Sequence, residues 1–592
     1  ANDGYLNKIN SSWQRIMTIR APLISGQPVN LTWDQSKMAN QQYCQIGSNA
    51  LLFSRVVLED VFFSDLYPER FYTTDNGWQE SGGNGVPDLS VPKLTSILNG
   101  NLNAGANWAA TALRLHPEAT LTLPPGSAIT VTGELDIQNR EGLTIQSDAT
   151  GTGSLIASSV AGAGFANIQR YMTGDAWHLI ASPVSGQTVS GFLASNTLIP
   201  EKEGARGFTT YNTSENAWNP MFSSFETGNL NAGTGFLART SIDGPIGFTG
   251  QIATGDQLIP VSDEGSGWNL VGNPYTSAIL SNDLGNGFLS QNNQMLDPSY
   301  VALYVWDESY STSGYRVINY LTDPDLACIG QGFLVKVNEP GSIGFNPSMQ
   351  VHQPAAHHKS ATTERPSIGL TIKQDGSQAS TEIVFTAQAT HGLDPGFDAG
   401  LLQPDSGFSL CTRLVVDNGK DFAIQALPLP DDLPLAIPLG LTCKSGGEVL
   451  LSATMNHMPS HIKAEILDRQ TNASFPVQSD QQGVSLLLNS STSFTDRFIL
   501  VLAPQTTATM PLDRKPDFSV YQSHGEMVLE GQVSSDATIR ITDLQGRMIS
   551  EFRPGPGNSH RIPSGQLKTG IYLLQIRDHD QFKSFKIPVL KK

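Results

Sequence analysis

Three histidines close together in sequence are the residues best suited to metal chemistry. His352, His357 and His358 lie within seven residues of one another, and imidazole nitrogens are common ligands of zinc. No further ligand follows at the spacing that a zinc site requires. The surrounding residues are typical of a linker. The sequence therefore predicts a linker over 351–366 and no metal site.

Two carboxylates in a turn are the next candidates for binding a cation. Asp394 and Asp398 lie in the segment Gly392-Leu-Asp-Pro-Gly-Phe-Asp-Ala399, and Ca²⁺ prefers oxygen ligands. Aspartates in Gly/Pro turns more often accept hydrogen bonds from the backbone of the turn itself. We therefore expect Asp394 and Asp398 to close this turn rather than to hold calcium.

The four cysteines contain no Cys-x-x-Cys pair. Cys411 and Cys443 fall within one predicted domain and are candidates for a disulfide in an oxidising compartment. Cys44 and Cys328 are expected to be buried thiols.

No local motif of enzyme chemistry occurs in the chain. The zinc-protease motif His-Glu-x-x-His, the Gly-x-Ser-x-Gly elbow, the Walker loop, the dinucleotide-binding glycine motif and the EF-hand loop are all missing. Catalytic triads and carboxylate pairs need no local motif, so the question of activity stays open. We favour a protein without catalytic residues and without a cofactor.

The composition favours many short strands. Charged residues make up 15% of the 592 residues, and 56 glycines and 35 prolines supply turns. A chain of this length needs several cores, roughly three to five. The net charge of −18 argues against nucleic acid and anionic membranes as partners. No apolar run is long enough to predict a transmembrane segment, and the start at Ala1 suits either a mature protein or a part of a longer one.

A repeat of aliphatic residues predicts a short β-solenoid. Leucine and isoleucine recur every eight residues at Leu113, Leu121, Ile129, Ile137 and Ile145. Strand-turn units of constant length stack their apolar faces in such folds. A β-helical polysaccharide lyase is the catalytic alternative, but the segment supplies too few coils for the long groove of such enzymes. The sequence favours a spacer.

Two later segments resemble each other and predict a duplication. Trp177-His-Leu-Ile-Ala-Ser-Pro183 matches Trp268-Asn-Leu-Val-Gly-Asn-Pro274, and three further matches follow in the same order. The two tryptophans are expected in the core. Three tyrosines of the second copy, Tyr304, Tyr310 and Tyr315, read as exposed and are candidates for stacking on sugar rings.

The predicted fold class is all-β, a string of β-sandwich domains with a short β-solenoid segment. The predicted domains are an unassigned β-rich region over 1–105, the solenoid over 106–165, two sandwich repeats over 166–260 and 261–350, the linker over 351–366, a sandwich over 367–508 and a small sandwich over 517–592. The last domain shows four short runs of alternating polarity.

The last domain also carries a family resemblance. Asp543-Leu-Gln-Gly-Arg547, a later Leu567-Lys-Thr-Gly-Ile-Tyr572 and a basic final segment occur in this order. Together they resemble the C-terminal (type A) sorting domain of type IX secretion cargo from Bacteroidota. The family usually opens with Tyr-Pro-Asn-Pro, where this chain has Val520-Tyr-Gln-Ser-His524. The sorting-signal residues that the resemblance implies are Asp543, Gly546, Arg547, Gly570, Ile571, Tyr572, Lys583 and Lys586.

The resemblance implies a secreted or cell-surface protein, exported through the periplasm and the outer membrane. Its implied partners are the type IX outer-membrane translocon and a β-barrel shuttle. For the upstream domains we expect a structural or adhesive role, as in an adhesin, with glycans or other surface proteins as partners. The alternative is a carbohydrate-binding or carbohydrate-degrading protein whose active part lies upstream or in the N-terminal region.

Overall fold

The computed structural model describes most of the chain after residue 68. The described residues are 69–80, 88–162, 165–307, 314–352, 365–402, 407–416, 420–430, 433–443, 445–477, 484–488, 492–505, 519–523, 526–534, 537–543, 547–555, 557–562, 567–568, 570–578 and 581–589. The chain divides into two compact units, Ala1–Gln505 and Thr506–Lys592. The predicted region 1–105 lies largely outside the described residues, as do Cys44, Tyr310, His357 and His358.

Most of the first described strands wind into a parallel stack, to which two short antiparallel pairs are added. They are β1 (Arg70–Thr73), β2 (Gly77–Glu80), β3 (Lys93–Asn103), β4 (Trp108–Leu123), β5 (Ala128–Ile137), β6 (Leu143–Ile145), β7 (Ser147–Asp148), β8 (Gly151–Thr152), β9 (Ser154–Ala161) and β10 (Ala166–Met172). The first half of β4 pairs in parallel with β5, and its second half with β6. Each coil therefore has two faces, and aliphatic side chains from both fill the space between them.

The predicted β-solenoid is confirmed, but the predicted eight-residue unit is wrong. Leu113 lies opposite Leu135 and Leu121 lies opposite Leu143, so this coil is 22 residues long. The coil before it is 18 residues long, since Thr95 lies opposite Leu113, and the one after it is 26 residues long, since Ala128 lies opposite Ser154. A step of eight residues moves from one face of a coil to the other, as from Leu113 to Leu121. The parallel stack also begins earlier than the predicted residue 106, because β1 pairs in parallel with β3.

The next segment forms several small sheets around one short helix. Its strands are β11 (Trp177–Ala181), β12 (Val184–Ser185), β13 (Gln187–Thr188), β14 (Glu201–Lys202), β15 (Ala205–Arg206), β16 (Phe208–Thr209), β17 (Tyr211–Asn212), β18 (Ala217–Trp218), β19 (Asn229–Leu230), β20 (Gly235–Arg239) and β21 (Gly244–Ile252), and helix α1 spans Val189–Ser195. Strand β21 pairs with β10. The solenoid and this segment therefore share one sheet.

The second copy has the same plan. Its strands are β22 (Gln257–Val261), β23 (Trp268–Gly272), β24 (Ala278–Leu280), β25 (Leu303–Trp306), β26 (Tyr315–Ile318), β27 (Leu326–Ala327), β28 (Gly332–Lys336), β29 (Gly341–Phe345) and β30 (Gln350–Val351), with helix α2 over Phe288–Asn292 and a 3-10 turn over Pro347–Met349. Trp177 lies opposite Arg239 in the β11–β20 pair, and Trp268 lies opposite Lys336 in the β23–β28 pair. The matched strands of the two copies therefore have the same register.

An asparagine at the end of each short helix holds the two copies in the same way. The Asn196 amide donates to the carbonyls of Phe192 (2.8 Å) and Gly247 (2.9 Å) and accepts from the Gly247 N–H (2.7 Å). Asn292 makes the same three bonds to Phe288 (2.9 Å) and Gly344 (2.9 Å, 2.8 Å). The signal is visible in the sequence as Phe192-Leu-x-x-Asn196 and Phe288-Leu-x-x-Asn292. Our sequence reading missed it.

The third β-domain is a curled sheet around its own core. Its strands are β31 (Ser367–Gln374), β32 (Ser377–Phe385), β33 (Ala399–Gly400), β34 (Phe408–Arg413), β35 (Asp421–Leu427), β36 (Leu435–Cys443), β37 (Gly447–Asn456), β38 (Ile462–Asp468), β39 (Ala473–Val477), β40 (Val484–Leu488) and β41 (Thr492–Pro504). Alternate residues such as Ile368, Leu370 and Ile372 face this core. Strand β31 lies between β32 and β37.

The second copy packs directly on the third β-domain. Trp268, Tyr304 and Val317 share one buried cluster with Val384 and Ile424. The expectation that Tyr304 is exposed is therefore wrong. Its ring is buried, and its hydroxyl donates to the Gly400 carbonyl at 2.6 Å.

Tyr315 is partly buried and packs edge-on against Trp306, with ring centroids 4.9 Å apart. Its ring therefore has a fixed position rather than the free, exposed one that the sequence suggested.

His352 at the predicted linker is bound into the fold. Its Nε2 lies 2.8 Å from the Thr130 hydroxyl and its Nδ1 2.8 Å from the Ser154 hydroxyl. Burial lowers the pKa of this imidazole. The preceding residues Gln350 and Val351 pair with β24. Both ring nitrogens are therefore occupied by solenoid hydroxyls, and the folded part extends past the predicted start of the linker.

The disulfide suggested for Cys411 and Cys443 is not formed. Cys411 lies opposite Gly440 and Cys443 opposite Phe408 on the neighbouring strands β34 and β36. The two thiols are therefore three register positions apart, beyond the Cα separation of about 4.4–6.8 Å that a disulfide requires. Two cysteines in one domain are not close enough for a disulfide by that fact alone, because strand register sets the distance between them.

Asp394 and Asp398 close their turn as the sequence predicted. The Asp394 carboxylate accepts from the Thr390 N–H at 2.6 Å. The Asp398 carboxylate accepts from the Asp394 N–H (2.7 Å) and the Ala426 N–H (2.7 Å). Among the described residues, no group of three or more His, Cys, Asp or Glu is placed to hold a metal ion.

The unit Thr506–Lys592 contains two small sheets. The first joins β42 (Ser519–Ser523), β43 (Glu526–Val533) and β46 (Gly557–Ile562), and the second has the order β45 (Met548–Phe552), β44 (Thr538–Asp543), β47 (Gly570–Asp578) and β48 (Gln581–Val589). Met527, Leu529, Ile539, Ile541 and Leu574 are among the side chains of the core. No helix in the described part of the whole chain is long and apolar enough to cross a membrane.

Candidate functional site

The Asp-Leu-x-Gly-Arg motif forms the turn between β44 and β45. The Asp543 carboxylate accepts from the Arg547 N–H at 2.9 Å and pairs with the Arg547 guanidinium at 2.7 Å. The Asp543 N–H also donates to the Arg547 carbonyl at 3.0 Å. A single carboxylate thus fixes both ends of the turn. Gly546 lies outside the described residues.

The two partners of this turn differ strongly in exposure. The side chain of Asp543 is 12% exposed and that of Arg547 is 79% exposed. The ion pair itself is worth only about 0–1 kcal/mol in such a setting. The same carboxylate also accepts from the Arg547 N–H, so it orders the backbone of the turn while the guanidinium remains exposed beside the sheet.

The Leu-x-x-Gly-Ile-Tyr motif leads into β47, the strand next to β44. Tyr572 lies directly opposite Asp543 in this pair. The Tyr572 hydroxyl donates to the Lys568 carbonyl at 2.9 Å, which fixes the approach to the strand. Gly570 and Ile571 are the first residues of β47. The fold therefore brings the two sequence motifs together at one end of the four-stranded sheet.

The basic final segment forms β48, at an edge of the same sheet. Lys583 lies opposite Ile576 and Lys586 opposite Leu573. Among the described residues, β47 is the sheet neighbour of β48. The backbone of an edge strand has groups available for pairing with another chain. Lys583 and Lys586 therefore lie at a sheet edge, with Lys586 one register position and Lys583 four positions from the row of Asp543 and Tyr572.

The opposite edge strand, β45, exposes two adjacent apolar side chains, which the sequence analysis did not predict. Met548 and Ile549 are 62% and 47% exposed. Arg540 of β44 and Glu551 of β45 form an ion pair across the same strand pair. The signal in the sequence is the adjacent pair Met548-Ile549, since neighbouring strand residues face opposite sides and cannot both enter one core.

The described part of this unit therefore has an exposed guanidinium at Arg547, two exposed apolar side chains at Met548 and Ile549, and edge strands on both sides of its four-stranded sheet. Edge strands and exposed apolar side chains are features through which other proteins bind.

Comparison with known families agrees with this division of the chain. The family described as "Secretion system C-terminal sorting domain" matches residues 526–590. The family described as "Domain of unknown function (DUF8693)" matches residues 72–501. The first match covers β43 to β48 and confirms the resemblance to type IX secretion cargo. The second spans the solenoid, both copies and the third β-domain.

Other comparisons add little. No curated protein matches the chain. Among solved structures, a chain described as "Biofilm associated protein - BSP domain" has 9% sequence identity and a TM-score of 0.16, with 72% of this chain and 92% of that chain covered. A likeness of this size carries no argument about fold or function.

Proposed function

We propose that this chain, which belongs to the DUF8693 family and is a cargo of the type IX secretion system, acts at the cell surface as a structural or adhesive protein. The sorting domain accounts for its export and for secretion or surface attachment. The translocon handles such domains. The proposal concerns what residues 69–505 do after export.

The observation that carries the proposal is the continuity of β-structure through the passenger, meaning the described residues from 69 to 505. Strands of the solenoid and of the first copy lie in one sheet, through the β10–β21 pair. The solenoid also meets the second copy, because the Leu155 N–H donates to the Thr276 carbonyl and the Thr276 hydroxyl donates to the Leu155 carbonyl, both at 2.8 Å.

The second copy is joined to the third β-domain by a buried core as well as by polar contacts. The Asn319 amide donates to the Phe397 carbonyl at 2.7 Å, and the Gly400 N–H donates to the Ser299 carbonyl at 2.7 Å. Interfaces of this kind resist relative motion of domains. A passenger joined in this way suits a protein that transmits force between a cell and a surface.

The partners of the terminal unit also belong to this proposal. An outer-membrane β-barrel shuttle and the translocon fit an edge strand and an exposed guanidinium. The passenger's partners would be glycans or other surface proteins.

Attachment of cells tests the proposal. A bacterium with a working type IX system would display either the full chain or the unit Thr506–Lys592 alone, at equal surface levels. We expect cells with the full chain to attach better to a surface or to one another. Equal attachment of the two strains would remove the adhesive role while leaving the sorting assignment intact.

A further inference from the structure

A cleft lies where the second copy meets the third β-domain. Its volume is about 240 Å³, and it is lined on one side by Tyr315 and Val317 of β26 and on the other by β31, β32 and β37. A second cavity of about 450 Å³ shares Val317, Glu382 and Asn456 with it. The two form one continuous depression at the junction of domains, where ligand sites often occur.

Small polar side chains cover the floor of this cleft. On β31, Ile368, Leu370 and Ile372 face the core, so the alternate residues Gly369 and Thr371 face the cleft. Thr371 lies opposite Ser380 of β32 and opposite Ser452 of β37. Three hydroxyl-bearing residues therefore stand in one row across the sheet, held by backbone pairing on both sides.

Two residues before Thr371 on the same strand, Gly369 leaves a gap beside the carboxyl group of Glu382. Gly369 lies opposite Glu382 on one strand and opposite Thr454 on the other. A Cβ atom at Gly369 would come within 3.0 Å of the Thr454 hydroxyl and would fill the space between the two side chains. The absence of a side chain here thus opens the floor next to Glu382.

The cleft favours an uncharged ligand. Burial raises the pKa of Glu382, although a hydrogen bond with the Ser367 side chain acts in the opposite direction, and nearby Asp323 adds to the rise. Arg316 is already paired with Asp325, and Arg365 donates to the Leu321 carbonyl at 2.9 Å. The cations of the wall are therefore engaged within the protein, and a ligand anion would have to compete for them.

The wall opposite the floor supplies an aromatic ring in a fixed position. Tyr315 is held edge-on by Trp306, with an angle of 84° between the rings. Burial raises the pKa of Tyr315, so its hydroxyl stays protonated. An aromatic wall beside several hydroxyls, a carboxyl and an amide matches a ligand with apolar ring faces and many hydroxyl groups.

We propose that this cleft binds a neutral saccharide, with Thr371, Ser380, Glu382 and Asn456 bonding its hydroxyl groups and Tyr315 packing on a ring. A peptide strand does not fit the floor by backbone pairing, because β31 already pairs with β32 and β37. This inference rests on the adhesive role proposed above and names the class of ligand for it.

Binding of the purified full chain to a glycan array tests the inference. We expect a defined set of neutral saccharides to bind, and isothermal titration of one of them to give a dissociation constant. Glu382→Ala and Gly369→Val should each weaken binding of that saccharide by at least about tenfold, since one removes the carboxyl group and the other fills the gap.

Two further variants distinguish direct contact with the ligand from a general loss of stability. Thr371→Val preserves the shape of the side chain and removes one hydroxyl, so weaker binding with an unchanged melting temperature supports direct contact. Lys373→Ala, on the same strand but outside the cleft lining, is the matched control and should bind as the unaltered chain does. Failure of all neutral saccharides to bind overturns the inference, as does binding that none of the cleft variants weakens.

The attachment assay separates this inference from the proposed function. Cells that display Gly369→Val and attach as well as cells with the unaltered chain would overturn the saccharide site and leave the adhesive role standing. Cells that attach equally with and without the passenger would overturn the adhesive role itself.

Discussion

Asp543 lies directly opposite Tyr572 across the pair of strands β44 and β47. The two residues belong to motifs that are separated in sequence, and each also makes a local bond, Asp543 to Arg547 and Tyr572 to Lys568. One pairing of central strands therefore sets the position of both motifs. Damage to either motif is expected to affect the same end of the terminal unit.

Replacing Asp543 by Ala should reduce export. The change removes the acceptor of the Arg547 N–H and the partner of its guanidinium, at a cost of about 1–2 kcal/mol to the terminal unit. The surface fraction after cell fractionation is the measurement. Glu551→Ala, which removes only an exposed ion pair with Arg540, is the matched control and should leave export near normal. Equal export of both variants would contradict a role for the turn.

Deleting Phe582–Lys592 should hold the protein in the periplasm. The deletion removes most of β48 and takes Ile587 out of the core of the terminal unit. Fractionation and surface proteolysis measure the outcome. A tail-less chain that reaches the surface at normal levels would contradict the sorting role of this strand.

Removal of Ala1–Ser158 is predicted not to block export, since the sorting signal lies at the other end. The structure shows that this deletion cuts through β9 and removes β6, the parallel neighbour of β10. A fusion of Thr506–Lys592 to an unrelated folded protein tests the same point without disrupting the passenger's sheet. We expect this fusion to be exported, and its retention would show that the passenger contributes to sorting.

Trp268→Ala should cost about 3–5 kcal/mol of unfolding free energy, as for other buried aromatic residues. Trp268 is 5% exposed and packs edge-on against Tyr304, with centroids 4.8 Å apart. Denaturant unfolding measures the loss. Trp177 occupies the matching register position but is only partly buried, so Trp177→Ala should cost less. A loss below about 1 kcal/mol at Trp268 would contradict its place in the core.

Asn196→Ala and Asn292→Ala should destabilise the passenger by similar amounts, about 2–4 kcal/mol each. Each change removes the same three hydrogen bonds, one to a carbonyl of the helix itself and two to a neighbouring strand. Urea unfolding of the two single variants gives the comparison. A clear difference between them would mean that the two copies do not depend on this contact in the same way.

Asp398 should make the passenger less stable as pH rises towards neutrality. Burial raises the pKa of Asp398 to about 7, although bonds from the Asp394 and Ala426 N–H groups act in the opposite direction. The folded state then holds a proton that the unfolded state has already lost above about pH 4. Stability from this group is therefore full below about pH 4 and is lost as pH rises to about 7.

Unfolding midpoints between pH 4 and pH 8 check this expectation. Asp398→Asn should flatten the profile over that range, because the side chain no longer titrates. A profile for the unaltered chain that rises from pH 4 to pH 7, with no change in Asp398→Asn, would show that other groups dominate.

The sequence predicted the elements of the fold better than their neighbours in space. Composition and alternating polarity were enough to predict all-β structure, because strand faces are set locally. The eight-residue repeat of aliphatic residues predicted the solenoid but gave the wrong unit, because Leu113 and Leu121 lie on two faces of one coil. Tyr304 was read as exposed because alternation shows which face a residue takes but not that the third β-domain covers this face.

In the candidate site, too, local motifs were predicted from the sequence but contacts between distant residues were not. Asp543, Arg547 and Tyr572 were recognised because short motifs act locally. The exposure of Met548 and Ile549 depends on the order of strands in the sheet, which places β45 at an edge. The proposed saccharide cleft combines Gly369 and Glu382 of the third β-domain with Tyr315 of the second copy, which come together only when the two domains pack. No spacing in the sequence contains that information.

The stacked coils of the solenoid also bear on how the length of such a protein changes during evolution. A gene duplication of one whole coil would add a layer to the stack while every inward side chain kept a neighbour of its own kind. Each added layer would lengthen the solenoid by about 4.7–4.9 Å, the spacing between paired strands. The solenoid could thus grow in small steps without disturbing the packing of its own core.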